Sequence, residues 1–145
     1  MNRKEFIKTC GLACIGSGSI ALLVGCSANY YAINSLTNNR ISIKKSEFIE
    51  VKKDKNVARK FVLVRIERLG FPIYLFKKED DIYHASLLEC THRGCEVQPN
   101  GGQFLQCPCH GSEYSNAGIV QQGPAERDLR TYNTTTDHEN IYIQL

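Results

Sequence analysis

Two short stretches hold most of the reactive side chains of this chain: CTHRGC at residues 90–95 and CPCHGSEY at residues 107–114. Four cysteines and two histidines crowd into them, set among glycine and proline. Thiolates and imidazoles are ligands for zinc, copper or iron, so the first expectation is a metal centre. Cys90 and His92 lie two apart, and on an extended backbone both side chains point to one side. Cys107 and His110 lie three apart across a tight turn that Pro108 and Gly111 favour. Each loop thus offers one thiolate and one imidazole to a shared centre. The remaining pair, Cys95 and Cys109, is free to bond to each other. Structural zinc is the first rival, because two Cys and two His complete its tetrahedron. Zinc modules, however, have no need of a second cysteine pair interleaved with the ligands.

The elements that must position these loops read as strands. ISI, EFIEV, KFVLVRIE, PIYLFKK, DIYHASLL and IYIQL are short β-branched and aromatic segments, parted by the turns KKDKN, RLGFP, KEDD and TTTDHEN. Beyond the first 26 residues no window shows a 3.6-residue apolar period, so the expected fold is all-β. With 145 residues the chain has the length of one domain. A net charge of +3, without a basic block interleaved with aromatics, gives no footprint for nucleic acid.

Three of the seven cysteines fall in the first 26 residues. MNRKEFIKT is a basic start, Cys10 to Val24 is an apolar run rich in small residues, and LVGC closes at Cys26. A bilayer-spanning helix needs about 20 residues, so this run suits a secretory signal core. LVGC resembles the lipobox of bacterial lipoproteins, which implies a signal over residues 1–25 and a lipidated Cys26. Arg3, Lys4, Phe6, Ile7 and Lys8 resemble the twin-arginine export signal, with Lys4 in place of the second arginine. Residues 26–40 read as a polar tether, and 41–145 as the folded domain, with the ligand loops in a subdomain over about residues 88–126. An uncleaved anchor helix is the alternative reading of the apolar run.

Taken together, CTHRGC and CPCHGSEY resemble the signature of Rieske iron–sulfur proteins, and GPA at Gly123–Ala125 extends the resemblance. What this implies is a fold of stacked antiparallel sheets or an open barrel, with one [2Fe–2S] cluster on two loops. Cys90 and Cys107 would hold one iron, His92 and His110 the other, and a disulfide would join Cys95 to Cys109. Closing a loop of about 15 residues would be worth about 3 kcal/mol, less where the cluster already ties the loops. Mixed ligation leaves the oxidised cluster near neutral, so Rieske centres span roughly −150 to +300 mV against about −400 mV for plant-type ferredoxins. Ser112 and Tyr114 match the hydroxyls that, in members resembling quinol-oxidising complexes, bond to cluster and cysteine sulfur and raise the potential. Arg93 stands where those members commonly have Leu. His84, in a strand, and His138, in a turn, read as structural or surface residues.

The charge is divided: Arg40 to Arg68 holds ten Lys/Arg against four Asp/Glu, and Glu79 to the end holds three against ten. A basic base could face anionic headgroups and an acidic half a cytochrome c; solvated strand faces are the plain alternative. The expected role is an exported, membrane-anchored electron carrier facing the periplasm or cell exterior. Its partners would be a cytochrome b or molybdenum subunit and a cytochrome c. The variants are a quinol:cytochrome oxidoreductase subunit, a small subunit resembling that of arsenite oxidase, a stand-alone carrier, or a zinc-stabilised binding module without redox function. In a bacterial host, Cys26→Ala should leave an unprocessed precursor and abolish labelling by radiolabelled lipid; unchanged processing would contradict the lipobox reading.

Overall fold

A computed structural model describes residues 29–145; the expected export signal and Cys26 lie outside the described residues. Thirteen strands follow in order: β1 Asn34–Thr37, β2 Arg40–Lys44, β3 Ile49–Lys52, β4 Lys55–Ala58, β5 Phe61–Val64, β6 Ile73–Glu79, β7 Ile82–Leu87, β8 Gln98–Asn100, β9 Phe104–Gln106, β10 Glu113–Tyr114, β11 Val120–Gln122, β12 Thr131–Thr136 and β13 Asn140–Gln144. The expected all-β class holds, with two single-turn 3₁₀ helices as the helical content described. Seven strands form one sheet in the order β1-β2-β13-β12-β7-β6-β5, curled into a half-barrel. Four short strands, β11-β10-β9-β8, form a second sheet, and β3-β4 is a separate hairpin. All of the second sheet lies in the chain between β7 and β12, which are neighbours in the first (Thr131 opposite Ser86). The ligand-bearing segment is therefore an insertion between two paired strands.

Strand periodicity sets which residues face which core. In β2 and β13 the isoleucines alternate with polar residues, and Ile41, Ile43, Ile141 and Ile143 are fully buried. They sit opposite one another, Ile141 to Ile43 and Ile143 to Ile41, each burial being worth about 1.5–3 kcal/mol. β5 and β6 differ in being apolar on both faces. Val62, Val64, Ile73 and Leu75 fill the half-barrel. Leu63 and Tyr74, between them in sequence, pack with Leu88, Cys90, Val97, Leu105 and Cys107 on the other side. A continuous apolar run is what a strand covered on both faces requires. Tyr74 anchors that second core, with its ring against Phe61 and Phe76 (centroids 5.0 and 6.0 Å). Its hydroxyl donates to Asn116 Oδ1 (2.8 Å), while the Asn116 amide donates to the carbonyls of Gly102 and Gln103 (3.0 and 3.2 Å). Burial pushes the Tyr74 phenol well above its ordinary pKa, which keeps it a donor.

Three local readings are corrected. The tether expected over residues 26–40 is shorter: Tyr30 and Ala32 bond through their backbones to Leu63, Ala32 is 6% exposed, and β1 pairs with β2. The β1–β2 turn is Asn38-Asn39, both with positive φ (49° and 65°), a conformation that asparagine tolerates and two-residue hairpins need. Second, the threonines of TTTDHEN are strand: Thr134, Thr135 and Thr136 pair with Ile143, Tyr142 and Ile141. The turn itself is built by Asp137, which accepts from the Tyr142 hydroxyl and from the backbone N–H groups of Asn140 and Glu139, and these hold its carboxyl at about 2. Third, EFIEV is not strand throughout. Lys45–Phe48 is a 3₁₀ turn that brings Phe48 edge-on to Tyr83 before β3 begins.

Gly118 is a point of close approach between the inserted segment and the main sheet. Its φ is +83°, and a Cβ there would lie 2.7 Å from Ser86 Oγ, a buried hydroxyl without a partner. Gly118→Ala should cost about 1–3 kcal/mol of stability, read from the denaturant midpoint. Ser86→Ala should be near neutral, and the double variant should recover part of the Gly118→Ala loss by removing the Oγ clash.

Candidate metal centre

The two ligand loops are held by the same pair of backbone hydrogen bonds. Cys90 N–H donates to Cys95 O (2.9 Å) and Gly94 N–H to Cys90 O (2.8 Å); Cys107 N–H donates to Ser112 O (2.8 Å) and Gly111 N–H to Cys107 O (3.0 Å). Gly94 and Gly111 occupy the same step of the two turns, with φ of 73° and 79°, a conformation costly for residues carrying Cβ. Against this shared frame the imidazoles are offset by one residue. His92 is two residues after Cys90 and His110 three after Cys107, so Cys109 takes the step in the second loop that His92 takes in the first.

Burial sorts the donors. Cys90 and Cys107 are free and buried, in the same apolar core as Leu63 and Tyr114. His92 is half-buried and His110 exposed, their rings 4.9 Å apart and nearly perpendicular. The disulfide Cys95–Cys109 (S–S 2.09 Å) ties the two loops together, as the resemblance implied. The sulfurs of Cys95, Cys107 and Cys109 lie within 4.8 Å of one another. With two of them spent in the disulfide, that trio offers one thiolate and is no site of its own. The groups that could hold a metal are Cys90, Cys107, His92 and His110.

Electrostatics separates the two thiols. Burial pushes both up. At Cys90 it is outweighed by hydrogen bonds from the Tyr114 hydroxyl, the His92 backbone, the Cys107 thiol and the Arg93 backbone, which hold this thiol below its ordinary value. At Cys107 the neighbouring Cys90 adds to burial, and the backbone of Cys109 and His110 opposes both without overcoming them, so this thiol stays high. Of the two, Cys90 is the readier to ionise, and positive charge beside the pair would favour both thiolates.

Ser112 and Tyr114 are both fully buried. Ser112 Oγ accepts from Ala125 N–H (3.0 Å), next to the cis Gly123–Pro124 bond, and its own proton is left to donate. Tyr114 Oη lies 3.4 Å from Cys90 Sγ and accepts from Thr91 N–H (3.2 Å). Thr91 Oγ1, 3.1 Å away, gives its proton to Arg127 O (2.6 Å), so the Tyr114 proton has two acceptors, Thr91 Oγ1 and Cys90 Sγ. Thr91 was missed as a site residue by sequence reasoning. Its place inside CTH is a signal only once the hydrogen bonds to Tyr114 and Arg127, 23 and 36 residues away, are known. Arg93 is exposed at the loop tip, whereas His84 sits in β7 opposite Phe76 and His138 in the β12–β13 turn.

The family description "Rieske [2Fe-2S] domain" matches residues 47–133. The chain belongs to the Rieske [2Fe–2S] family. One [2Fe–2S] cluster is therefore the cofactor, and the donor set fits it: two buried free thiols, two imidazoles, and His92 Nδ1 buried without a hydrogen-bond partner. A buried polar atom left unpaired is otherwise rare. The chain is 38% identical over 78 residues to the cytochrome b6-f complex iron-sulfur subunit of Prochlorococcus marinus (strain MIT 9303), covering 51% of this chain and 43% of that one. Identity is 49% over 53 residues to the same subunit of Synechococcus sp. (strain JA-3-3Ab), covering 36% and 31%. The chain thus spans less than half the length of these curated relatives. The plasma membrane Rieske protein PetC3 of Synechocystis PCC 6803 is 31% identical, with a TM-score of 0.52 over 59% of this chain and 87% of that one. Naphthalene 1,2-dioxygenase, at 19% identity and a TM-score of 0.50, shares the fold alone.

Proposed function

We propose that this Rieske protein is a membrane-tethered, high-potential carrier that passes electrons from a quinol or oxidase donor to a cytochrome-type acceptor. The observation that carries the reading is the polarity of the site, with its thiols buried, His92 half-buried and His110 exposed. Cys90 and Cys107 would hold the inner iron, and His92 and His110 the outer one. When bound, the cluster supplies one-electron chemistry. With the cluster held there, exposed His110 would offer a short way in and out for an electron, and His92 and His110 could each carry a proton on a nitrogen not used as a ligand.

Three features support a high potential: the Ser112 proton left to donate, the Tyr114 hydroxyl against Cys90 Sγ, and the disulfide. Hydrogen bonds to sulfur disperse the charge added on reduction and so favour the reduced state. The disulfide needs an oxidising compartment, which agrees with export ahead of Cys26. Relatives named as cytochrome b6-f subunits and a plasma membrane Rieske protein support cytochrome-type partners and a membrane setting.

Arg93 favours a second reading. A guanidinium at the tip makes the docking surface cationic, which suits a stand-alone carrier or the small subunit of a molybdenum oxidase better than an apolar quinol pocket.

With a cluster bound, reduction would add negative charge beside His92 and His110 and so favour proton uptake there. The potential should therefore fall with rising pH, by about 59 mV per unit for each proton coupled. Below that window a plateau of about +100 to +300 mV is expected, lowered by Ser112→Ala and by Tyr114→Phe. Redox titration from pH 5 to 11 checks this. A plateau near −150 mV, flat with pH and indifferent to both variants, would contradict the reading.

A further inference from the structure

The β3–β4 hairpin stands apart from both sheets, pairing with neither. It exposes apolar side chains where an edge hairpin ordinarily does not: Val51 (70% exposed) and Ile49 (49%) share one face, and Val57 (42%) lies on the other, opposite Glu50. Lysines cluster at the tip next to Val51, with Lys52 also paired to Glu50 (3.1 Å). Lys52 and Lys55 face each other across the tip and Lys53 sits in the turn, where Lys53 and Asp54 both take positive φ. From Ile49 to Lys60 there are five Lys/Arg against two Asp/Glu. Lysines on both strands discourage the addition of a further strand from a protein partner. A basic tip beside exposed valine and isoleucine suits an anionic bilayer surface, where buried apolar area and headgroup attraction add.

The chain entry puts that surface within reach. Asn29 and Tyr30, the first described residues, line one cleft with Glu50 and Lys52 of the hairpin. The Tyr30 ring lies under the Arg59 guanidinium (3.9 Å), and its hydroxyl donates to Glu47, which also accepts from Ile33 N–H. Ile33 is 77% exposed. Asn29 is three residues on from Cys26, the proposed lipid anchor, a span of about 10 Å at most at about 3.4 Å per residue. A hairpin this close to the anchor cannot stray far from the headgroups. The ligand loops lie elsewhere. β8 and β9 run from them to the turn at Gly101–Gly102, and it is this far turn that packs on Lys60 beside the hairpin.

We infer that the β3–β4 hairpin is a second, peripheral membrane contact. Val51 and Ile49 would enter the headgroup region of an anionic bilayer, Lys52, Lys53 and Lys55 would pair with its phosphates, and the imidazole edge would be turned toward the aqueous side. This rests on the anchored reading proposed above, and the two fail separately in the following experiment. The chain contains no tryptophan, so Val51→Trp in the full, processed protein is a unique probe. In phosphatidylglycerol vesicles carrying doxyl-labelled lipid, its emission should shift to the blue and be quenched. Ile119→Trp, an exposed position in the ligand subdomain, should be unaffected. High salt, or Lys52→Glu with Lys53→Glu and Lys55→Glu, should restore the Val51→Trp emission. Co-sedimentation with neutral phosphatidylcholine vesicles reports the anchor alone, and its loss counts against the anchor. An unquenched Val51→Trp emission in anionic vesicles, or equal quenching of Ile119→Trp, overturns the hairpin contact whether or not the anchor holds.

Discussion

Everything in the ligand subdomain answers to one constraint: two thiols must be buried together while the imidazoles of the same loops lie further out, His92 half-buried and His110 exposed. Buried thiols ionise reluctantly, and a pair of them more so. The loops meet this by surrounding Cys90 with donors from Tyr114, His92 and Arg93, leaving Cys107 high beside it. Such a site is poised to be completed by positive charge. An iron pair would supply that charge, and the buried, unpaired His92 Nδ1 has the same need of a partner.

Rigidity is the second requirement, because the four donors come from two loops 17 residues apart at their leading cysteines (Cys90 and Cys107). Equivalent backbone bonds fix each turn, the disulfide ties turn to turn, and the Tyr74–Asn116 bridge fastens the insertion to β6. Behind them stand β5 and β6, whose alternate residues belong to two different cores. The half-barrel is therefore the surface against which the ligand loops are set, and stability of the one supports geometry of the other.

The proposed ligand set comes from local chemistry: cysteine and histidine at spacings of two and three, with glycine where φ is positive. The β-class was legible from the alternation in β2 and β13 and the apolar runs of β5 and β6. Strands β8 to β11 were not, since at two or three residues each they are too short to show a period, and their residues serve the site before the sheet. The tether boundary failed for another reason. Asn34 in β1, and Asn38 and Asn39 after it, are weak strand formers singly, and pairing with β2 overrides propensity there. Thr91, Asn116 and the backbone of Ala125 act through partners 13 to 42 residues away, and such pairings leave no mark on a single sequence.

The central claim is that Cys90, Cys107, His92 and His110 hold a [2Fe–2S] cluster, and metal analysis of the purified protein tests it most directly. Iron and acid-labile sulfide should each be found at about two per chain, with the low average-g electron paramagnetic resonance signal of mixed cysteine and histidine ligation on reduction. His92→Ala or Cys107→Ala should abolish both. Stoichiometric zinc with no sulfide would contradict the account.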